Sequence, residues 1–93
     1  MRRAKEIPID ATLDLHGCTA EEAKTLVREF LADERAHGSC LVRIIVGKGL
    51  RSPQGESVLG PAVRSVLVRE QYSFVSAPWH EGGDGAIDVT IDI

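Results

Sequence analysis

The chain has 93 residues, of which 43% are hydrophobic and 27% are charged, a balance typical of one small globular domain with a single core. No apolar run approaches the ~20 residues that span a membrane, and no apolar segment follows the basic N-terminus. We therefore expect no membrane segment and no signal peptide, and we predict a cytoplasmic protein. The net charge of −3 argues by itself against nucleic-acid binding.

The first half of the chain predicts a leader, a strand and a helix. Residues 1–8 show no periodicity and are predicted to form a flexible leader, so that the domain comprises residues 9–93. A strand is predicted over 11–16 and a helix over 20–36, the helix having a capping box at its start and a glycine at its end. The apolar stripe of this helix comprises Ala23, Leu26, Val27, Phe30 and Leu31.

The first strand ends in Leu-Asp-Leu-His-Gly, the most informative segment of the chain. Because a strand alternates its side chains between two faces, Asp14 and His16 are predicted to share the face opposite the core. Gly17 then lets the chain turn sharply into the helix. A carboxylate beside an imidazole in front of a helix is a candidate chemical site, although a purely structural hydrogen bond would use the same two residues.

The second half predicts a strand, a helix and two further strands. The strand at 41–46 is an almost continuous apolar run, which suits a strand covered on both faces or nearly so. A helix is predicted over 58–70, followed by strands over 73–78 and 86–92. The order is βαβαββ. Right-handed crossovers make the first three strands parallel, and the short loop 79–85 returns the fourth strand antiparallel.

This topology brings three segments to one end of the sheet. Parallel strands finish at the same end, where open α/β sheets usually bind ligands. We therefore expect Asp14 and His16 to meet two glycine-rich segments, 47–49 and 82–85. Each segment alone also fits an ordinary turn. Their joint placement, together with two helix N-termini, favours an anion such as phosphate.

The basic residues support the same function more weakly. Residues 43–69 carry a charge of +4 and the rest of the chain carries −7. A local basic surface can bind a phosphate backbone because nearby charges dominate under physiological screening. A solvated face without a ligand explains the clustering equally well.

The motifs resemble the Smr (small MutS-related) domain family over residues 9–93. Residues 13–17 resemble its LDxHG signature, 45–49 its HGKG segment and 82–86 its GGxGA segment. The resemblance implies a two-layer α/β sandwich, with a four-stranded mixed sheet and two helices, like the C-terminal domain of translation initiation factor three. It also implies nucleic-acid binding and, in many members, endonuclease activity on branched DNA or on messenger RNA at stalled ribosomes.

The candidate catalytic residues are Asp14 and His16. His16 would act as a general base or hold a water, while Asp14 would orient it or bind Mg²⁺ or Mn²⁺, the only cofactors expected. The candidate nucleic-acid-binding residues are Gly47, Lys48, Gly49, Arg51, Gly82, Gly83 and Gly85.

One residue departs from the family pattern, because Val46 stands where many members have histidine. Valine can neither transfer a proton nor donate a hydrogen bond. Two functions therefore stay open: a structure-selective endonuclease that nicks DNA or RNA, and a non-catalytic module that binds nucleic acid or a ribosome. The expected partner is branched DNA, RNA or the ribosome, and the expected form is a monomer, alone or within a larger chain. A protein–protein adaptor is a third reading, and it predicts no affinity for nucleic acid.

Overall fold

The structure, a computed structural model, describes residues 8–47, 59–77 and 85–91. The predicted order βαβαββ is confirmed within these ranges, although each strand is shorter than predicted. The predicted leader lies outside the described residues except for its last residue. The elements are β1 (Ala11–Asp14), α1 (Ala20–His37), β2 (Leu41–Ile45), α2 (Leu59–Arg69), β3 (Ser73–Ser76) and β4 (Ala86–Thr90).

The predicted capping signals fix both ends of α1. The Glu22 N–H donates to the Thr19 hydroxyl oxygen at 3.1 Å, and the Thr19 N–H donates to Glu22 Oε1 at 2.9 Å. These two bonds satisfy N–H groups that have no partner inside the helix. At the other end Gly38 adopts a left-handed φ of 83° and donates to the Arg35 carbonyl. Of the two described helices, neither is long and apolar enough to cross a bilayer.

The sheet has the strand order β1-β2-β4-β3. β1 pairs with β2 in parallel, whereas β4 lies between β2 and β3 and runs antiparallel to both. The directions predicted for all four strands are therefore confirmed. Strands β1, β2 and β3 finish, and β4 begins, at one end of the sheet, here called the upper end. Strand order places this last strand at the centre of the sheet, a position that its place in the chain did not indicate.

Both helices pack on one face of the sheet. Every second side chain of a strand points to this face. In β2 these are Val42 and Ile44, which are fully buried, while the alternate residues are partly buried. The prediction of nearly complete cover on both faces of β2 is thus only half right. In α1 the predicted stripe is also too wide, because Leu26 is 38% exposed. The fully buried large side chains are Leu15, Leu31, Ile44, Leu67, Ile87, Val27, Val42, Val63, Val66 and Val89.

The other face of the sheet carries an ion pair between its two central strands. Arg43 Nε donates to Asp88 Oδ1 at 2.7 Å, and Arg43 Nη2 donates to Oδ2 at 3.0 Å. The two side chains are only 15% and 12% exposed. Arg43 is therefore neutralised by a residue outside the basic stretch, and the charge of that stretch overstates the positive surface.

Both helices end in the same hydrogen-bonded turn, but α2 uses a residue that suits it poorly. The Tyr72 N–H donates to the Leu67 carbonyl and the Gln71 N–H to the Val68 carbonyl, with Gln71 at a left-handed φ of 63°. This is the Schellman motif, in which glycine avoids the steric penalty that a Cβ incurs. At the corresponding position α1 has Gly38.

Gln71→Gly is therefore expected to raise the free energy of unfolding by about 0.5–1 kcal/mol, the strain relief less the extra entropy of an unfolded glycine. Urea denaturation measures the change. Gln71→Ala is the matched control and should bring no gain, since it keeps the Cβ. Equal stability of the glycine and alanine variants would contradict the assignment of strain to Gln71.

Candidate functional site

Backbone hydrogen bonds join the three motif segments at the upper end of the sheet. The Leu15 N–H donates to the Ile45 carbonyl at 2.9 Å, which ties the end of β1 to β2. The N–H groups of Val46 and Gly47 both donate to the Gly85 carbonyl, at 2.8 and 3.0 Å, which ties the end of β2 to the start of β4. The described parts of the three segments therefore meet as the topology predicted.

Asp14 and His16 form a local, doubly hydrogen-bonded pair. Asp14 Oδ1 accepts from the His16 backbone N–H at 3.0 Å and lies 3.1 Å from His16 Nδ1. The backbone bond closes a short turn of the kind that aspartate side chains commonly form. When Nδ1 carries the ring proton, it donates to the carboxylate and leaves Nε2 as the acceptor of the ring. The hydrogen bonds of the pair thus stabilise the turn and also orient the imidazole.

The electrostatics of the pair suit a site open to solvent. The side chains of Asp14 and His16 are 50% and 86% exposed. The His16 backbone N–H, followed by its ring, holds the pKa of the Asp14 carboxyl below its usual value. Asp14 is therefore an anion at neutral pH, and a negatively charged ligand must meet positive groups nearby to bind here.

The glycines of the first two motifs act through their backbone conformation. Gly17 has φ 83° and Gly47 has φ 81°, values that residues with a Cβ rarely adopt. A Cβ at either position would meet no atom within 4 Å, so conformation rather than space demands glycine. The Gly47 N–H already donates to Gly85, so it has a partner inside the protein and contributes the shape of the turn.

The structure places only part of the predicted binding set. Asp14, His16, Gly47 and Gly85 lie at the upper end of the sheet. The remaining predicted residues lie outside the described ranges; they are Lys48, Gly49, Arg51, Gly82 and Gly83.

Val46 is a core residue. Its side chain is 3% exposed and continues the buried row of β2 toward α2. Its methyl Cγ2 lies 3.9 Å from the point where a Cβ of Gly60 would stand. The alternation of β2 carries this information in the sequence. Valine at this position therefore fills the junction between β2 and α2, and it places no polar group there.

Sequence reasoning missed one cation near this junction. Arg64 Nη1 lies 3.0 Å from the point where a Cβ of Gly60 would stand. Glycine followed four residues later by arginine in a helix is the signal that could have found it, because those two positions share a helix face. Gly60 is buried and Arg64 is partly buried.

The residues of the site fit a divalent cation only in part. Among the described residues no group of three His, Cys, Asp or Glu side chains is arranged to hold a metal. Of the described residues at the upper end, Asp14 can supply one carboxylate ligand. Mg²⁺ is commonly held by one or two carboxylates together with substrate phosphates and water, so one protein ligand suits a cation that arrives with the substrate.

Comparisons with known proteins place this arrangement among similar domains. A family model described as the Smr domain matches residues 13–92. The Smr domain of Thermus thermophilus MutS2 is 34% identical, with a TM-score of 0.76 over 89% of this chain and 99% of that one. YdaL, a stand-alone small MutS-related protein from Escherichia coli, is 30% identical, with a TM-score of 0.67 over 89% of this chain and 65% of that one.

Two further matches extend the comparison. The SMR domain of NEDD4-binding protein 2 is 24% identical, with a TM-score of 0.69 over 95% of this chain and 91% of that one, and it supports the fold. An uncharacterised protein from Treponema pallidum is 40% identical over 63 residues, which are 68% of this chain and 31% of that protein. The matched segment therefore spans less than a third of the length of that relative. The predicted four-stranded mixed sheet with two helices is confirmed by the structure and by these neighbours.

Proposed function

The chain belongs to the Smr domain family, and on that premise we propose that it binds nucleic acid at the upper end of its sheet and nicks DNA or RNA of particular structure there. The observation that supports this proposal is the Asp14–His16 pair, which is exposed to solvent at the place where the glycine segments of β2 and β4 meet. An oriented imidazole is a group that can serve as the general base in phosphodiester hydrolysis.

In the proposed reaction His16 acts as general base. Its Nδ1 proton is held by Asp14 Oδ1, which leaves Nε2 to take a proton from water as the water oxygen attacks phosphorus. The bond from phosphorus to the leaving sugar oxygen breaks, and that oxygen takes up a proton from solvent water. The Asp14 carboxylate stabilises the imidazolium that forms, as the aspartate of a catalytic triad does.

The substrate brings negative charge to a site that already holds the Asp14 carboxylate. We propose that Lys48 and Arg51 neutralise the phosphate, because they belong to the basic stretch and flank the Gly47 turn in sequence. Mg²⁺ or Mn²⁺, held by Asp14 and phosphate oxygens, would neutralise further charge. The roles of His16, Lys48 and Arg51 do not depend on that cation.

A binding module without catalysis is the second candidate, and the burial of Val46 favours it. Valine has no proton to transfer to a leaving group, and the Val46 side chain, 3% exposed, is part of the core. His16 is then the one imidazole that the described residues place at the upper end. Binding through the basic residues does not need a second proton-transfer group.

The deciding experiment measures binding and cleavage with the same labelled substrates: nicked, branched and single-stranded DNA and structured RNA, with Mg²⁺, Mn²⁺ or EDTA. We expect binding and nicking of at least one structured substrate. Binding with no cleavage under any condition would establish the second candidate. The absence of binding to every substrate at low salt would overturn both candidates in favour of a protein–protein adaptor.

Lys48→Ala and Arg51→Ala are each expected to weaken binding and to reduce the slope of log K against log salt by about one. The physical reason is that each phosphate contact releases condensed counterions. Arg35→Ala and Arg69→Ala are the matched controls, since each removes one positive charge from the last turn of a helix, away from the upper end. Salt slopes equal to those of the controls would remove Lys48 and Arg51 from the interface.

A further inference from the structure

We propose that Arg64 binds a backbone phosphate of the nucleic acid. We further propose that Gly60, which has no side chain, leaves the space that the guanidinium occupies at the upper end of the sheet; this space is called the seat. This inference rests on the proposed nucleic-acid binding and adds a residue that lies in the middle of a helix, outside the three motif segments. The observation that supports it is the position of the Arg64 side chain over Gly60, one helical turn earlier.

The guanidinium of Arg64 lies directly over Gly60. Arg64 Nη1 and Cζ are 3.0 and 4.0 Å from the point where a Cβ of Gly60 would stand. Long side chains of a helix lean toward its N-terminus, so Arg64 reaches back one turn to this position. Because Gly60 has no side chain, the planar group can rest against the helix backbone there.

This seat adjoins the candidate site. Val46 Cγ2 lies 3.9 Å from the same point above Gly60. The backbone N–H of Val46 donates to Gly85, in the turn that joins β2 to β4. Arg64 is therefore one residue away from the described centre of the site, on the side where α2 covers the sheet.

The charge of Arg64 is available to a ligand. Among the residues that the structure describes, no carboxylate lies within salt-bridge distance of its guanidinium. Two other described arginines differ: Arg43 is paired with Asp88, and Arg35 lies over the Tyr72 ring at 5.6 Å from its centroid. Arg64 is partly buried, which lowers the screening of its charge by water. A guanidinium also presents parallel N–H groups that match two phosphate oxygens.

Arg64 and Arg69 lie on the same helix but at different distances from the candidate site. Arg69 is exposed in the last turn of the same helix, about 14 Å along the axis from Gly60. A charge at that end lies away from the upper end of the sheet. Arg69 therefore serves as a matched control with the same side chain and the same helix.

The test combines removal of the charge with displacement of the charge. Arg64→Gln removes it, Arg64→Lys keeps a positive charge without the paired N–H groups, and Arg69→Gln is the control. Gly60→Leu retains Arg64 but places a side chain where its guanidinium now lies. Binding of a labelled four-way DNA junction and of a labelled RNA hairpin is followed by fluorescence anisotropy from about 50 to about 200 mM salt. Urea denaturation of each variant reports its stability.

Arg64→Gln is expected to weaken binding about tenfold and to reduce the salt slope by about one, while Arg69→Gln does neither. Gly60→Leu is expected to weaken binding to a similar extent, because its Cβ would stand 3.0 Å from Arg64 Nη1 and the guanidinium must move. Its urea midpoint reports separately whether the rest of the leucine side chain disturbs the fold. The double variant Gly60→Leu/Arg64→Gln should bind no more weakly than Arg64→Gln alone. Comparison of the effect of Arg64→Gln on the DNA junction with its effect on the RNA hairpin shows which backbone Arg64 contacts.

Three outcomes would overturn the inference. Arg64→Gln could match Arg69→Gln in affinity and slope, or it could lower the urea midpoint without changing the slope, which is the result for a packing role. Alternatively, Gly60→Leu could bind as native protein does while it folds normally. Failure of the native protein to bind either probe is a different result, since it refutes the proposed function itself.

Discussion

His16→Ala is expected to lower the rate of strand cleavage by about 10²- to 10⁴-fold, the range that one general base typically contributes. The imidazole is 86% exposed and its ring bonds only to Asp14 among the described residues, so its removal should change neither the urea midpoint nor the affinity for substrate appreciably. The effect should appear in the rate of the chemical step under single-turnover conditions, with substrate binding measured in parallel.

His37→Ala is the matched control for this variant. His37 also has its Nδ1 within hydrogen-bond distance of an oxygen, the Asp33 carbonyl at 2.7 Å, but it lies in the last turn of α1. That turn is about 25 Å along the helix from the upper end of the sheet. Asp14→Asn tests the second member of the pair and should also slow cleavage, because an amide can still accept the His16 backbone N–H but no longer stabilises an imidazolium by charge. Cleavage that survives in His16→Ala would exclude His16 as the base.

Asp88→Ala is expected to lower the free energy of unfolding by up to about 3 kcal/mol, the lower end of the range seen when one member of a buried ion pair is removed, because this pair is partly buried. The substitution takes away the carboxylate that Arg43 contacts twice, at 2.7 and 3.0 Å, and leaves a guanidinium only 15% exposed. Small domains are stable by about 5–15 kcal/mol, so this loss would leave a marginal fold. Urea denaturation measures it.

An exposed pair provides the comparison. Lys24 Nζ lies 3.4 Å from Glu21 Oε2, and the Glu21 side chain is 87% exposed. Glu21→Ala should therefore cost less than about 0.5 kcal/mol. The double variant Arg43→Met/Asp88→Leu should recover most of the stability lost in Asp88→Ala, since an apolar pair needs no desolvation of charge. A cost for Asp88→Ala no larger than that for Glu21→Ala would show that the pair adds little to the fold.

The chemical part of the candidate site was predictable because it is local. Asp14 and His16 are two residues apart on a strand, so alternation alone puts them on one face, and Gly17 turns the chain after them. The meeting of these residues with the later glycine segments was predictable for a different reason. Parallel strands must finish at the same end of a sheet, whatever their order across it.

Other parts of the site depend on contacts that the sequence does not encode locally. The positive charge of Arg43 is neutralised because β4 lies beside β2. This strand order places Asp88, 45 residues later in the chain, next to Arg43. The Gly47 N–H was a candidate phosphate ligand from its motif, but the same strand order gives it the Gly85 carbonyl as a partner. The alternation of β2 already assigns Val46 to the core, but only packing places it beside Gly60 of α2.

The sequence by itself determined the secondary structure, the strand directions and the Asp14–His16 pair, because caps, turns and alternation act over a few residues. The tertiary structure alone decided the central place of β4, the neutralisation of Arg43 and the seat of Arg64 over Gly60 beside Val46. Those features depend on which distant surfaces pack together. Pairing across a sheet and packing of a helix against it join residues that no local pattern relates, so the positive charge available to a phosphate could be located only in the folded chain.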